Sequence, residues 1–179
     1  VHVSAGTFQP IKVQNLQDPP MHAEQMVMQK EAIEALLHPD KKVIAVGTTA
    51  MRTLESLYWY GVKLLQTNDP HFCIDKDFPY QFSSNHLPSL PVAIEAILQH
   101  MQREKLSQLM GETSIFIFPG YQFKVCKGLI TNFHLPSSTL ILLVAALVGK
   151  DWHKIYQHAL SHEYRFLSYG DSSLLLPKV

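Results

Sequence analysis

Twice in these 179 residues a short, wholly apolar run ends in a polar turn that leads straight into a helix-forming segment. A chain built that way is committed to strands covered by helices. The first unit is Val43 to Val46, the turn Gly47-Thr48-Thr49, and a helix expected over Thr49 to Tyr60 and ended by Gly61. The second is the strand Gly128 to Thr131, apolar up to Ile130, the turn up to Ser138, and a helix expected over Thr139 to Val148. Proline fixes the backbone at Pro136, and Ser137 or Ser138 is then expected to cap the helix that follows. Both turns carry polar side chains at the mouth of a strand, where a rigid scaffold presents groups to a ligand. The first of these strands is expected to begin at Lys42 and run to Val46, and further strands are expected over Met21 to Met28 and Ser114 to Phe118. Further helices are expected over Lys30 to Leu37, Pro91 to Met110 with Gly111 after it, and Trp152 to Tyr164 with Asp151 as cap. Thr67 to Ser89 has no clean period and reads as a long loop or a short excursion. The fold class is α/β, and spacing alone does not separate a barrel from an open sheet.

A content of 46% hydrophobic and 17% charged residues supports one sizeable core and excludes disordered and fibrous classes. The longest purely apolar run, Leu140 to Val148, is far short of the ~20 residues that span a bilayer, so a soluble protein is expected. Cys73 and Cys126 form neither a disulfide framework nor a CxxC metal clamp, which fits a reducing cytoplasm. Fifteen basic and fifteen acidic residues leave no net positive field for a nucleic acid. Local patches could still form at Lys124 and Lys127 beside Tyr121, or at Lys150, Lys154 and Arg165. None of the ten histidines falls in an HExxH or HxH pattern, so no metal is expected.

Four constellations could carry chemistry. Gly47-Thr48-Thr49, with Arg52 one turn into the helix, offers backbone N–H groups, two hydroxyls and a guanidinium to an anion such as a phosphate or the carboxylate of a methionine moiety. Alternatively, a threonine only caps the helix and Arg52 pairs with Glu55 on its surface. Asn132 and His134 either face a ligand or tie down a tight loop. His22-Ala23-Glu24 matches the HxE element of zinc deaminases but lacks the PCxxC partner, which argues against a deaminase. On a strand, His22 and Glu24 share one side and could act on a proton or form a buried pair. Around Gly170, the residues Tyr164, Arg165, Ser168, Tyr169 and Asp171 could stack a purine or a splayed base and bond its edge. They could equally make a C-terminal plug in which Tyr164 and Phe166 pack and Arg165 pairs with Asp171. His2, Ser4, Thr7 and Gln9 flank Gly6, which suggests a turn where backbone approaches a ligand closely, or simple loop ties.

Four stretches, in order, resemble the S-adenosylmethionine:tRNA ribosyltransferase-isomerases of queuosine biosynthesis: HVSAGTFQP (2–10), AVGTTAMRTLES (45–56), TNFHLPSSTL (131–140) and YRFLSYGD (164–171). MHAE (21–24) and FPGYQF (118–123) fit more loosely, and Ser4 and Gln25 stand where the family usually has glycine and an aromatic residue. The resemblance implies an α/β barrel-like catalytic domain, with a small inserted β-barrel domain absent from this chain. Because intact members of the family are longer on the N-terminal side and the chain opens on Val1, residues 1–179 are expected to be a C-terminal fragment, inactive and prone to self-association when isolated.

The implied reaction moves the ribosyl group of S-adenosylmethionine onto 7-aminomethyl-7-deazaguanine at the wobble position of a tRNA with a GUN anticodon. It gives epoxyqueuosine and releases adenine and methionine. S-adenosylmethionine is then a co-substrate, no permanent cofactor is needed, and the compartment is the cytoplasm. Residue chemistry suggests His134 or Glu24 for proton transfer, Asn132 and Asp171 for holding polar edges, and Thr48, Thr49 and Arg52 for an anionic group. Tyr164, Arg165 and Tyr169 would meet a base, and His2 and Thr7 would line the site. The alternative is a non-catalytic RNA-binding or interaction domain derived from the same fold.

Overall fold

A computed structural model describes residues 23–67, 69–83, 86–135 and 138–177. Eleven elements follow one another among them: β1 (Glu24–Gln29), α1 (Lys30–Glu34), β2 (Val43–Val46), α2 (Thr48–Thr67), β3 (Cys73–Ile74), α3 (Leu90–Arg103), β4 (Gln108–Thr113), β5 (Cys126–Asn132), α4 (Leu140–Val148), α5 (Trp152–Ser161) and β6 (Ser172–Leu175). The strands form two mixed three-stranded sheets. In one, β4 is central, antiparallel to β1 and parallel to β3; in the other, β5 is central, parallel to β2 and antiparallel to β6. The class is α/β, as expected.

Helix α2 lies at the centre of this arrangement. It follows β2 directly and buries Met51, Leu57, Tyr58, Trp59, Tyr60 and Val62 in a core that includes Met26 of the first sheet and Ala45 and Leu129 of the second. It also reaches the first sheet through Ser56 Oγ, 2.7 Å from Thr113 Oγ1. Gly61 does not end this helix. It sits where α3 crosses most closely, and a Cβ there would lie 2.3 Å from the Ala93 carbonyl oxygen. Glycine is required at that position by the packing of two helices, and the helix runs on to Thr67.

The other departures have local causes. The helix expected through Met110 stops at Arg103, because Lys105 turns left-handed at φ 56°. Leu106 N–H then bonds Met101 O at 2.8 Å and Lys105 N–H bonds Gln102 O at 3.2 Å, which is a Schellman stop with lysine where glycine is usual. The chain after it becomes β4, and Ser114 to Phe118 is not a strand. Likewise α5 ends at Ser161: Glu163 takes φ 56°, and Tyr164 N–H bonds Ala159 O at 3.0 Å. The segment expected as loop after α2 holds β3 and a 3-10 turn over Phe78–Gln81. Position Thr139 precedes α4 and makes no side-chain cap; Ser138 Oγ instead bonds Leu135 O at 2.7 Å. Asp151 makes no side-chain cap on α5 either. Ser89 precedes α3 in extended conformation, makes no side-chain cap, and is followed by a proline in the first turn.

Candidate active site

The parallel pair β2/β5 puts both polar turns at one end of the second sheet. Val46 stands opposite Ile130 in the register, and Gly47 N–H, at φ 91°, bonds Ile130 O at 2.8 Å. The turn into α2 and the turn beyond β5 therefore leave the carboxyl ends of adjacent parallel strands, where α/β sheets bind ligands. Two side-chain groups occupy this end.

The first group is Glu24, Thr49 and Arg52. Glu24 opens β1 and is buried; its Oε1 lies 2.8 Å from Arg52 Nη1 and 3.4 Å from Thr49 Oγ1. Arg52 Nε donates to Ile115 O at 3.0 Å. Burial lowers the Arg52 pKa from its ordinary value, and the facing Glu24 charge works against that shift. Arg52 thus pairs with Glu24 across 28 positions of sequence, not with Glu55 on the helix surface. Thr48 is buried in the first turn of α2 beside them.

The second group gathers beyond β5. Asn132 Nδ2 donates to Gly170 O at 3.2 Å and to Ser172 Oγ at 3.2 Å, which ties the end of β5 to the loop before β6. His134 is buried, with Nε2 2.9 Å from Thr131 Oγ1 and its backbone N–H donating to Tyr156 Oη at 3.1 Å. Burial pushes the His134 pKa down, which favours the neutral ring that can accept a proton.

The Asp171 carboxylate accepts Arg165 N–H at 2.7 Å and lies 3.4 Å from Arg165 Nη2; these bonds, the backbone one foremost, hold its pKa below the ordinary value. Tyr164 and Phe166 pack on Phe133, with ring centroids 5.5 and 5.6 Å away. The loop is tight. Leu167 is left-handed at φ 69°, its N–H bonds Phe133 O at 2.9 Å, and a Cβ at Gly170 would lie 2.3 Å from Arg165 O. An apolar residue held in that conformation stores strain, which is concentrated at functional loops. Tyr169 does not join the packing: it is 97% exposed.

Among the described residues, no hydrogen bond or ion pair joins the two groups, although both sit at the same end. His2, Thr7 and the rest of their motif lie outside the described residues, as does His22. Of the basic residues considered for a patch, Lys154 lies 3.6 Å from Asp151 and Arg165 faces Asp171. No group of three or more His, Cys, Asp or Glu side chains among the described residues could hold a metal ion. No helix among them is long and apolar enough to cross a membrane.

Sequence reasoning missed Glu55. Fully buried, its carboxylate accepts Tyr121 Oη–H at 2.8 Å and the backbone N–H groups of Lys124, Val125 and Cys126 at 2.9 to 3.0 Å. Desolvation raises its pKa in spite of those four bonds. Trp59 Nε1 adds a bond to Tyr121 Oη at 2.8 Å. This carboxylate fixes where β5 starts, and hence where Asn132 and His134 arrive. Its one trace in the sequence is its place in the stripe Met51, Glu55, Tyr58, Val62, where an acid interrupts a helix face whose burial is plain only from the structure.

A family profile described as queuosine biosynthesis protein matches residues 1–175. S-adenosylmethionine:tRNA ribosyltransferase-isomerases from Legionella pneumophila strains Corby and Lens are 39% identical over 180 residues, covering 98% of this chain and 41% of their own length. The crystal structure of S-adenosylmethionine tRNA ribosyltransferase from Thermotoga maritima matches with a TM-score of 0.56 at 31% identity, covering 86% of this chain and 40% of that one. The chain therefore spans about two fifths of the length of the curated relatives it matches. With matching motifs, a matching fold and a family profile that covers nearly all of it, the chain belongs to the queuosine biosynthesis protein family.

Proposed function

We propose that this chain is part of an S-adenosylmethionine:tRNA ribosyltransferase-isomerase. In the intact enzyme the ribosyl moiety of S-adenosylmethionine is transferred and isomerised onto 7-aminomethyl-7-deazaguanine at the wobble position of a tRNA with a GUN anticodon. Epoxyqueuosine forms in the tRNA, and adenine and methionine leave. The observation that carries this reading is the pairing of the two strand-to-helix turns: Gly47 N–H bonds Ile130 O at 2.8 Å, so the Thr48-Thr49-Arg52 turn and the Asn132–His134 turn open on one end of the sheet. Membership of the family supports the substrate class, and the protein acts in the cytoplasm without a permanent cofactor.

The reaction needs a base for the acidified proton next to the sulfonium, a donor for departing adenine and an unprotonated attacking amine. His134, buried and biased toward its neutral form, suits the base. Thr48, Thr49 and Arg52, with Glu24 beside them, suit the charged end of the co-substrate. Asn132 and Asp171 hold the 164–171 loop in place, and Tyr169, free of the packing, offers a face on which a splayed base can stack. Tyr164 and Arg165 shape that loop; His2 and Thr7 belong to the same site in this reading. In the whole protein these sheets form part of a barrel-like catalytic domain, and the small inserted domain lies outside this chain.

The test is to incubate the intact protein with labelled S-adenosylmethionine and tRNA carrying the 7-aminomethyl-7-deazaguanine base. Adenine release that depends on the modified tRNA is expected. A protein that turns over no S-adenosylmethionine with this tRNA overturns the reading.

A further inference from the structure

The Glu24–Arg52 pair is buried and incompletely satisfied. Glu24 is 5% exposed and Arg52 6% exposed, yet Glu24 Oε2 and Arg52 Nη2 have no hydrogen-bond partner among the described residues. Their other arms are occupied: Nη1 holds Oε1 at 2.8 Å, and Nε holds Ile115 O at 3.0 Å. A buried charged group left with an open bonding position carries an uncompensated desolvation cost, so such atoms call for an occupant.

The two open atoms differ in kind, one a donor on a cation and the other an acceptor on an anion. A phosphate would satisfy the arginine and be repelled by the glutamate. A nucleobase edge can offer a donor and an acceptor but brings no charge of its own, so each bond would have one ionised partner where an ion pair has two, and the buried charges would gain no counter-charge. An α-amino acid zwitterion carries a carboxylate and an ammonium on one carbon and matches both. The first turn of α2 adds to the preference: its first intrahelical bond is Met51 N–H to Gly47 O at 3.1 Å, so the N–H groups of Thr48, Thr49 and Ala50 have no acceptor within the helix and favour a carboxylate nearby.

Resting on the functional reading above, we infer that the Glu24–Arg52 pair holds the amino-acid end of S-adenosylmethionine, with Arg52 Nη2 on the α-carboxylate and Glu24 Oε2 on the α-ammonium. Both atoms are out of contact with solvent, so the ligand must part the side chains over the pair as it enters. His134 is then left as the proton-transfer group, and the adenosine end extends toward the β5 turn.

The experiment is calorimetric titration of the intact protein with three ligands. These are S-adenosylmethionine, its decarboxylated analogue, which lacks the carboxylate, and 5′-methylthioadenosine, which lacks the amino acid altogether. Wild type is expected to prefer S-adenosylmethionine over the decarboxylated analogue by about 10- to 100-fold, the worth of a charge-assisted hydrogen bond. Arg52→Met should bind those two ligands equally. Glu24→Gln should weaken both by about 10-fold and leave methylthioadenosine unaffected. If Arg52→Met does not fold, Arg52→Lys keeps the charge but loses the planar fork, and the preference should still shrink.

Wild type that binds S-adenosylmethionine and methylthioadenosine within about 3-fold of each other overturns the inference and leaves the functional reading standing, as does an Arg52 variant that keeps the full carboxylate preference. Wild type that binds none of the three and releases no adenine overturns the functional reading itself, and this inference with it.

Discussion

His134 and Glu55 are both buried titratable side chains, but they act at opposite ends of β5. His134 follows the strand, faces Thr131 Oγ1, and has its pKa lowered by burial, a combination suited to accepting a proton near neutral pH. Replacing it with alanine in the intact protein should slow adenine release by about 100-fold or more while thermal melting shifts only modestly; unchanged turnover would make it a loop tie. Glu55 precedes the strand, and its role is structural. Its folded pKa is raised above 4.5 by desolvation, so between those two values the folded state binds more protons than the unfolded chain. Stability should therefore be highest below 4.5 as far as this group is concerned, and fall as pH rises toward the folded pKa. Glu55→Gln removes that dependence, yet its amide NH2 meets at least one backbone N–H whichever way it is turned, at a cost of about 1 to 3 kcal/mol. Chemical denaturation across pH, wild type beside variant, measures both effects. The polar turn residues were legible in the sequence because they interrupt apolar runs. Glu55 was not, because a single acid on a long helix reads as a solvated one until its partners, 66 to 71 positions away, are known.

Elements were legible wherever their ends carry conventional signals. The strands β2 and β5, the helix α4 and the start of α2 were read to within two residues, because apolar runs bounded by glycine, threonine and serine leave little choice, whereas α2 runs on to Thr67, well past the end expected at Tyr60. The misplaced boundaries at α3 and α5 have one cause. Each helix ends on a left-handed residue, Lys105 and Glu163, that sequence patterns do not mark as a stop. The misplaced boundary at Gly61 has the opposite cause, a glycine needed for close packing and read as punctuation. Gly61→Ala tests this directly. The added methyl meets the Ala93 backbone, which cannot rotate away, so destabilisation of about 2 to 3 kcal/mol or more is expected, against the gain of roughly 1 kcal/mol that alanine gives in an unobstructed helix. A variant as stable as wild type would show that α2 and α3 have room to move apart.

At the scale of the whole molecule, the described residues cover the second sheet on only one face. Ala45, Leu129 and Leu175 point into the core, whereas Val46, Ile130 and Leu174, consecutive neighbours across the three strands, are exposed on the other face. A parallel pair is normally buried on both faces. These 179 residues expressed alone should therefore self-associate at concentrations of about tens of micromolar, with Ile130→Lys shifting the sedimentation profile toward monomer; a wild-type chain that sediments as monomer throughout would contradict this. Two sheets around a central helix were legible only as an α/β class, because sheet order depends on contacts that sequence spacing does not encode. The central claim is that co-substrate chemistry belongs to the end of the molecule where β2 and β5 finish. Photochemical cross-linking of labelled S-adenosylmethionine to the intact protein, followed by peptide mapping, tests it most directly. Within this chain, label is expected in the peptides that carry Glu24, Thr48 to Arg52 and Asn132 to Leu135. Label confined to the opposite end, around Lys105 to Gln108 or Lys124 to Cys126, would contradict the account.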